Sequence, residues 1–323
     1  MAFSLLEEDI IRTVAYGQSV GFPLTNIGIV ERMPHGVPMG DVMVSLECLV
    51  SVGALVRTNG RYGIGNDARA CIEAYANRAA LTRVKWLRAL RTVRVLTWVP
   101  WVRAVWVSGS LAYDASDVDG DTDVVCLVAP GHIFSARLFA LALSSLFGVR
   151  RAAHEAHAPD KLCMNHWIAD DGRQLAHRSV YTAWVYAHMV PVYGMAAARA
   201  WRECQTWIQD YTRYRAEPSS LRALRPSSPI IFGKMLCERL LSFIEPFAKR
   251  VQLGRIQRGV AVVGRGRIQA NNHALEFHPR SQEPLVLSTY TALCASVGVM
   301  AAAQDSGLGK GACDVLDMPA ASA

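Results

Sequence analysis

The sequence predicts a mixed α/β (α+β) protein: a small helical module closed by a hairpin, a central core with a short sheet, and a mainly helical C-terminal part. Three observations predict this. Apolar residues recur at helical spacing in residues 4–16 and 42–52. An Asn59-Gly60 pair separates two short runs. Two β-branched runs, residues 102–107 and 124–128, flank a stretch rich in glycine and aspartate. A chain of 323 residues can hold two or three such units. The boundaries fall at residues 1–66, 67–195 and 196–305, with 306–323 small and polar enough to expect a disordered tail.

In order along the chain, Leu5, Leu6, Ile10, Ile11 and Val14 predict a first helix, with Gly17 as its stop signal. Phe22 to Val30 predicts a short second helix, and Val42 to Val52 a third that ends at Gly53. ALVRTNGRYGI, residues 54–64, reads as two strands around Asn59 and Gly60, the pair a type I′ turn prefers because both positions need positive φ. From Asp67 to Leu96 a long basic helix carries the apolar stripe Trp86, Leu87, Leu90, Val93 and Val95 and ends near Pro100. A strand, a loop and a second strand follow, then an apolar helix over 132–147 and a third strand over 161–168. The rest to about residue 305 is mainly helical, and GRIQRGVAVVGRGRIQANNH is assigned to no element.

Composition narrows the function classes. Half of the residues are hydrophobic and 19% charged, which excludes a disordered chain. The most apolar stretches, Leu138 to Val149 and Val180 to Met195, are too short or too interrupted for the ~20 apolar residues of a spanning helix, so no membrane role is expected. The N-terminal MAFSLLEEDIIRT lacks the charge pattern of an export signal. The eight cysteines, Cys48, Cys71, Cys126, Cys163, Cys204, Cys237, Cys294 and Cys313, have no CxxC spacing. Reduced thiols in a cytoplasmic protein are therefore expected. The net charge of +7 includes Arg78, Arg83, Lys85, Arg88, Arg91, Arg94 and Arg103. Such a cluster suits a nucleotide or nucleic acid, or is a solvated helix face.

The chemistry concentrates in VWVSGSLAYDASDVDGDTDVVCLV, residues 105–128. Residues two apart on a strand project to one face, so Asp121 and Asp123 set two carboxylates side by side, suited to a divalent cation. Ser108, Gly109 and Ser110 lie at the mouth of a short turn, where glycine admits backbone N–H groups to a phosphate and serine adds a donor. Asp114, Asp117 and Asp119 read as turn caps or solvated groups.

With Gly109 and Ser110 followed by Asp121 and Asp123 and then VVCLV, the sequence resembles the DNA polymerase β-type nucleotidyltransferase superfamily. SLECLVSVGALVRTNGRYGI resembles the third helix and wing of winged helix-turn-helix domains, and both features together look like bacterial members with an N-terminal winged helix. The resemblance implies Mg²⁺ (or Mn²⁺) held by Asp121 and Asp123, and the phosphates of a nucleoside triphosphate held by Ser108, Gly109 and Ser110. It implies template-independent transfer of the nucleoside monophosphate to an acceptor hydroxyl, with pyrophosphate released. The acceptor, whether small molecule, RNA or protein, stays open.

One position departs from the family. Its third carboxylate should come from KLCMNHWIADD, where Asn165 occupies the inward-facing place and no acid precedes Asp170. An amide brings no charge and cannot act as a base. The alternative expectation is accordingly a catalytically degenerate, nucleotide-binding regulator whose winged helix contacts DNA or a protein. DNA is the less favoured contact, because Ser45, Glu47 and Ser51 on the third helix include no cation and the wing offers only Arg57 and Arg61.

Other candidates carry less. His154, His157 and Asp160 have a zinc-like spacing but read as an exposed linker. Trp201, Trp207, Tyr211 and Tyr214 among arginines have the spacing of core packing rather than a base-stacking surface. Lys161 is a candidate for phosphate charge, and alternation sends His166 to the face opposite Asn165. The cleft is expected between the central and C-terminal parts.

Overall fold

The computed structural model describes residues 3–152, 155, 158–214, 222–263, 267–278 and 281–302. His154, His157, Cys313 and the tail 306–323 lie outside them. The chain is mixed α/β with a mixed sheet.

The first unit begins with α1 (Leu5–Ser19), nucleated by a capping box in which Ser4 and Glu7 satisfy each other's backbone donors. Gly17 lies inside this helix rather than beyond it, and the Phe22 carbonyl passes 2.8 Å from where a Cβ would sit. It is a residue of close approach, not a stop. After β1 (Leu24–Thr25) come α2 (Asn26–Val30) and α3 (Met39–Ser51). The antiparallel hairpin β2 (Val56–Thr58) and β3 (Arg61–Gly63) follows, with Asn59 and Gly60 both at positive φ as the turn requires. β3 also pairs β1, giving a three-stranded sheet of order β1-β3-β2.

The long basic helix is α4 (Ala68–Val93), which tightens into a 3₁₀ turn over Arg94–Trp98 before the main sheet starts. That sheet contains β4 (Val102–Val107), β5 (Thr122–Val128), β6 (Leu162–Ala169), β7 (Val190–Tyr193), β8 (Arg267–Ala270) and β9 (Ala274–His278), in the order β7-β4-β5-β6-β9-β8. Only β5 and β6 run parallel; the other neighbours are antiparallel. The short α5 (Gly109–Ala112) leaves β4, and α6 (Ile133–Leu146) bridges from β5 toward β6. Beyond β6 lie α7 (Val180–His188), α8 (Met195–Cys204), α9 (Ser228–Leu240), α10 (Glu245–Val263) and α11 (Glu283–Ser296).

Alternation along the strands explains why the sheet is apolar on both faces. Val105, Val107, Val124, Cys126 and Trp167 pack with α4, α6 and α10. Ala104, Trp106, Val125, Leu127 and Ile168 pack with α7, α8 and the Trp201–Trp207 cluster. Helices on both faces turn β4 and β5 into nearly continuous apolar runs, as the sequence shows. Trp201 and Trp207 are thus core residues, and the buried Arg202 guanidinium donates to the Met189 carbonyl.

Two connections tie the ends of the chain together. The segment GRIQRGVAVVGRGRIQANNH supplies the end of α10 and all of β8, so the C-terminal part extends the central sheet by two strands. Tyr290 and Cys294 of α11 share a core with Ile10, Val14 and Tyr16 of α1 and with Trp184 of α7. The Tyr16 ring lies 4.4 Å from Trp184 and 5.6 Å from Tyr290, centroid to centroid. Among the described residues no helix is long and apolar enough to cross a membrane.

Candidate functional site

The two apolar strands β4 and β5 fix the site because their ends are locked to each other. The Ser108 N–H donates to the Asp123 carbonyl at 2.9 Å, one step beyond the β4–β5 ladder, so the Ser108-Gly109-Ser110 turn starts directly against Asp123. Gly109 adopts φ +65°, and a Cβ there would sit 2.3 Å from Asp123 Oδ2. Only glycine allows this contact between turn and carboxylate.

Asp121 and Asp123 flank the buried Thr122 at the start of β5, and the parallel ladder sets Cys163 of β6 opposite Asp123. Carboxylate oxygens of both aspartates and the Cys163 sulfur lie within 4.8 Å of one another, a donor set that fits a divalent cation. The neighbour across from the carboxylate pair is thus Cys163, two residues before Asn165. Asn165 stands beside it, its amide nitrogen 3.0 Å from the Cys163 sulfur. The sequence marks Cys163 only as one more reduced thiol; its place opposite a DxD pair follows from the strand register.

The electrostatics follow from two acids sharing a half-buried corner. Burial first, and then the charge of Asp121, raise the Asp123 carboxyl to about 6. Burial and the two carboxylates push the Cys163 thiol well up, so it is a protonated donor here. Asp121 receives a 2.5 Å charge-assisted hydrogen bond from Arg151 Nη1. Arg151 is a second residue without a sequence signal: it precedes β6, brought in by the Arg151 N–H donating to the Leu162 carbonyl.

A cavity of about 580 Å³ opens on this corner. Ser108, Gly109, Ser110, Asp123 and Asn165 line it together with Cys163, so most of the predicted site residues meet at one cavity. Asp121 lies in the adjoining carboxylate cluster. Tyr181 and Val185 of α7, Leu285 and Val286 of α11, and Ser19 and Val20 at the end of α1 line the rest of it. The cleft therefore involves the first unit as well as the central and C-terminal parts. Tyr113 also lines it, buried and with a hydroxyl that has no hydrogen-bond partner among the described residues.

His166 lines the same cavity, contrary to the alternation read from sequence. The register explains the difference: Asp123 pairs with Cys163 but Val125 pairs with His166, so β6 has an extra residue at a β-bulge. The bulge cancels the alternation and turns both Asn165 and His166 toward the cleft. His166 Nε2 is 3.1 Å from Glu276 Oε1 and 3.2 Å from the Tyr186 hydroxyl.

The remaining candidates are engaged elsewhere. Lys161 pairs with Glu155. Asp117 and Asp119 are exposed, and Asp114 takes φ +53° in the turn, as expected of loop acids. Of the basic cluster, Arg78 donates to the Gly21 carbonyl, Lys85 to the Gly120 carbonyl, Arg88 pairs with Asp160 at 2.9 Å and Arg103 with Glu238 at 2.8 Å. Comparison with models of known protein families, with curated proteins and with solved structures finds no match for this chain.

Proposed function

We propose that this protein is a divalent-metal-dependent, template-independent nucleotidyltransferase of the DNA polymerase β type. In this reading residues 67–195 carry the catalytic core and the first 66 residues form a winged helix. The observation that carries the proposal is the packing of Gly109 directly onto Asp123. It sets a serine-flanked phosphate turn against a carboxylate pair at the mouth of one cavity. Two carboxylates this close repel unless a cation or a proton stands between them, and a bound metal ion would turn that cost into affinity.

Asp121 and Asp123 would hold the cation, which supplies charge neutralisation for a triphosphate when bound. Gly109 and Ser110 present backbone N–H groups, and Ser108 and Ser110 their hydroxyls, to phosphate oxygens. Arg151, beside Asp121, adds a cation whose fork suits phosphate once the carboxylate is otherwise engaged. Tyr181, Val185, Leu285 and Val286 offer apolar surface for the nucleoside end. The acceptor is a hydroxyl-bearing molecule that enters the same cavity.

One observation favours a second reading, a nucleotide-binding regulator that does not turn over: Cys163 and Asn165 stand where a third carboxylate would act as base. Contact with DNA is not favoured in either reading. The wing arginines are occupied, Arg57 by Glu47 at 2.6 Å and Arg61 by the Pro23 carbonyl and the face of Tyr75. Titration of the protein with non-hydrolysable nucleoside triphosphates, with and without Mn²⁺, tests the site common to both readings. Binding that requires the metal and vanishes in Asp123→Asn is expected. Metal-independent binding, or none to any of the four bases, contradicts the site.

A further inference from the structure

The bulge in β6 places an imidazole on the cleft side of the sheet, and the register says where. Past the bulge, Val125 of β5, His166 of β6 and Glu276 of β9 stand on one rung. Directly paired residues project to the same face of a sheet, and Val125 and His166 both line the cavity. Asp123, two residues back along β5, stands on the rung with Cys163. Two residues of strand rise about 7 Å, so His166 lies one rung from the carboxylate pair.

The imidazole is held from behind. His166 Nε2 lies 3.1 Å from Glu276 Oε1 and 3.2 Å from the Tyr186 hydroxyl, which donates to the same Glu276 oxygen at 3.3 Å. The three side chains close a buried triangle. His166 and Tyr186 line the cavity, and Glu276 stands outside its lining. A carboxylate in this place decides which ring nitrogen carries the proton: with Nε2–H directed to Glu276, Nδ1 is the basic nitrogen. A buried pair of this kind is weak support for stability, because apolar residues of similar volume often serve as well. Here it interrupts a face whose neighbours on the sheet are Val125, Leu127 and Ile168.

We infer that His166 is the general base of the transfer, with Glu276 and Tyr186 as its positioning residues. The inference rests on the nucleotidyltransferase reading and supplies the base that Asn165 cannot be. A base acts from about 3 Å on the hydroxyl it deprotonates. The ~7 Å between the two rungs leaves room for one such oxygen between the imidazole and a phosphate bound at the Ser108-Gly109-Ser110 turn. The acceptor hydroxyl gives its proton to Nδ1 as its oxygen forms a bond to the α-phosphorus. The bond from that phosphorus to the bridging oxygen breaks, and pyrophosphate leaves with the electron pair. Glu276 stabilises the imidazolium that forms and, with Tyr186, fixes the plane of the ring. His278 lines the cavity too, its ring 5.9 Å from that of His166, but it stands on β9, a strand further from Asp123.

Two measurements on the full chain test it: transfer of label from an α-labelled triphosphate, and binding of a non-hydrolysable triphosphate with Mn²⁺. His166→Gln and Glu276→Gln are expected to lower kcat by about 10²-fold or more, while KM for the triphosphate and its metal-dependent binding stay at wild-type values. His166→Ala opens a gap beside the cavity, and added imidazole is expected to restore part of its transfer, which a histidine that only packs would not allow. Should one variant fail to fold, the others keep the comparison. Transfer at the wild-type rate in His166→Gln, or a loss that appears only in His278→Gln, overturns the inference and leaves the transferase reading standing. Triphosphate binding lost together with transfer, and no rescue by imidazole, also overturns it and makes the three side chains a structural network. A wild type that binds triphosphate but transfers nothing overturns the transferase reading, and the inference with it.

Discussion

At the scale of single residues, the contact between Gly109 and Asp123 makes the sharpest demands. A Gly109→Ala variant must accommodate a Cβ where the carboxylate oxygen lies and hold alanine at φ +65°. The backbone term alone costs about 1–2 kcal/mol, and the carboxylate must move. Divalent-cation affinity should fall with it, measured by isothermal titration, while the overall circular dichroism is retained. The Asp123 carboxyl gives a pH dependence of defined sign. Raised to about 6, it holds a proton in the folded chain that an unfolded aspartate has already lost. Stability from this group therefore grows as pH falls from about 6 toward the ordinary aspartate value, and a cation must displace that proton. Cation affinity is expected to weaken steadily below about pH 6; an affinity unchanged by acidification would contradict the assignment. Both aspartates and the Ser108-Gly109-Ser110 turn were legible in the sequence because alternation and glycine are local signals. Cys163 and Arg151 were not, since register and a bridge across the chain set their places.

At the scale of elements, β6 and α9 are where local rules and tertiary structure part. Alternation along LCMNHWIA assumes a regular strand, and the bulge opposite Asp123 and Val125 breaks it, which is why His166 reaches the cleft unannounced. Replacing Cys163 by aspartate tests what stands in the third-acid place. A carboxylate there is expected to tighten Mg²⁺ binding relative to Mn²⁺, because oxygen donors suit the harder ion and sulfur the softer one. An unchanged preference would show that the thiol does not reach the metal. In α9 the buried Lys234 has its ammonium pushed down to about 8 by desolvation. Between about 8 and the usual 10.5 the unfolded chain binds the extra proton, so stability should rise with pH across that window. Lys234→Met should flatten that rise in urea melts. The helix itself was expected only as part of a mainly helical region. The charged anchor that holds it, Lys234 to the Val102 carbonyl and Glu238 to Arg103, is invisible without the partners on β4.

At the scale of the whole molecule, the ends of the chain close on each other and on the cleft. α11 packs on α1 through Tyr290 and Tyr16 and lines the cavity through Leu285 and Val286. Removing the ring in Tyr290→Ala should destabilise the protein by about 3–5 kcal/mol, and the loss should be read at the first unit and the cleft together. A thermal melt in which the first unit unfolds separately would contradict that coupling. The sequence revealed the unit around the hairpin and the sheet around the aspartates. The sharing of α7 and α11 between them was not legible, since contacts across most of the chain leave no local pattern.

The most direct measurement of the central claim is transfer of label from each α-labelled nucleoside triphosphate in the presence of Mg²⁺ or Mn²⁺. The wild type would be compared with an Asp121→Ala, Asp123→Ala double variant, supplying small-molecule, RNA and protein acceptors in turn. Metal-dependent transfer with matching pyrophosphate release, lost in the double variant by a factor of at least about 10³, is the predicted result. Triphosphate that binds with the metal but never turns over with any acceptor would contradict the transferase and leave the nucleotide-binding regulator in its place.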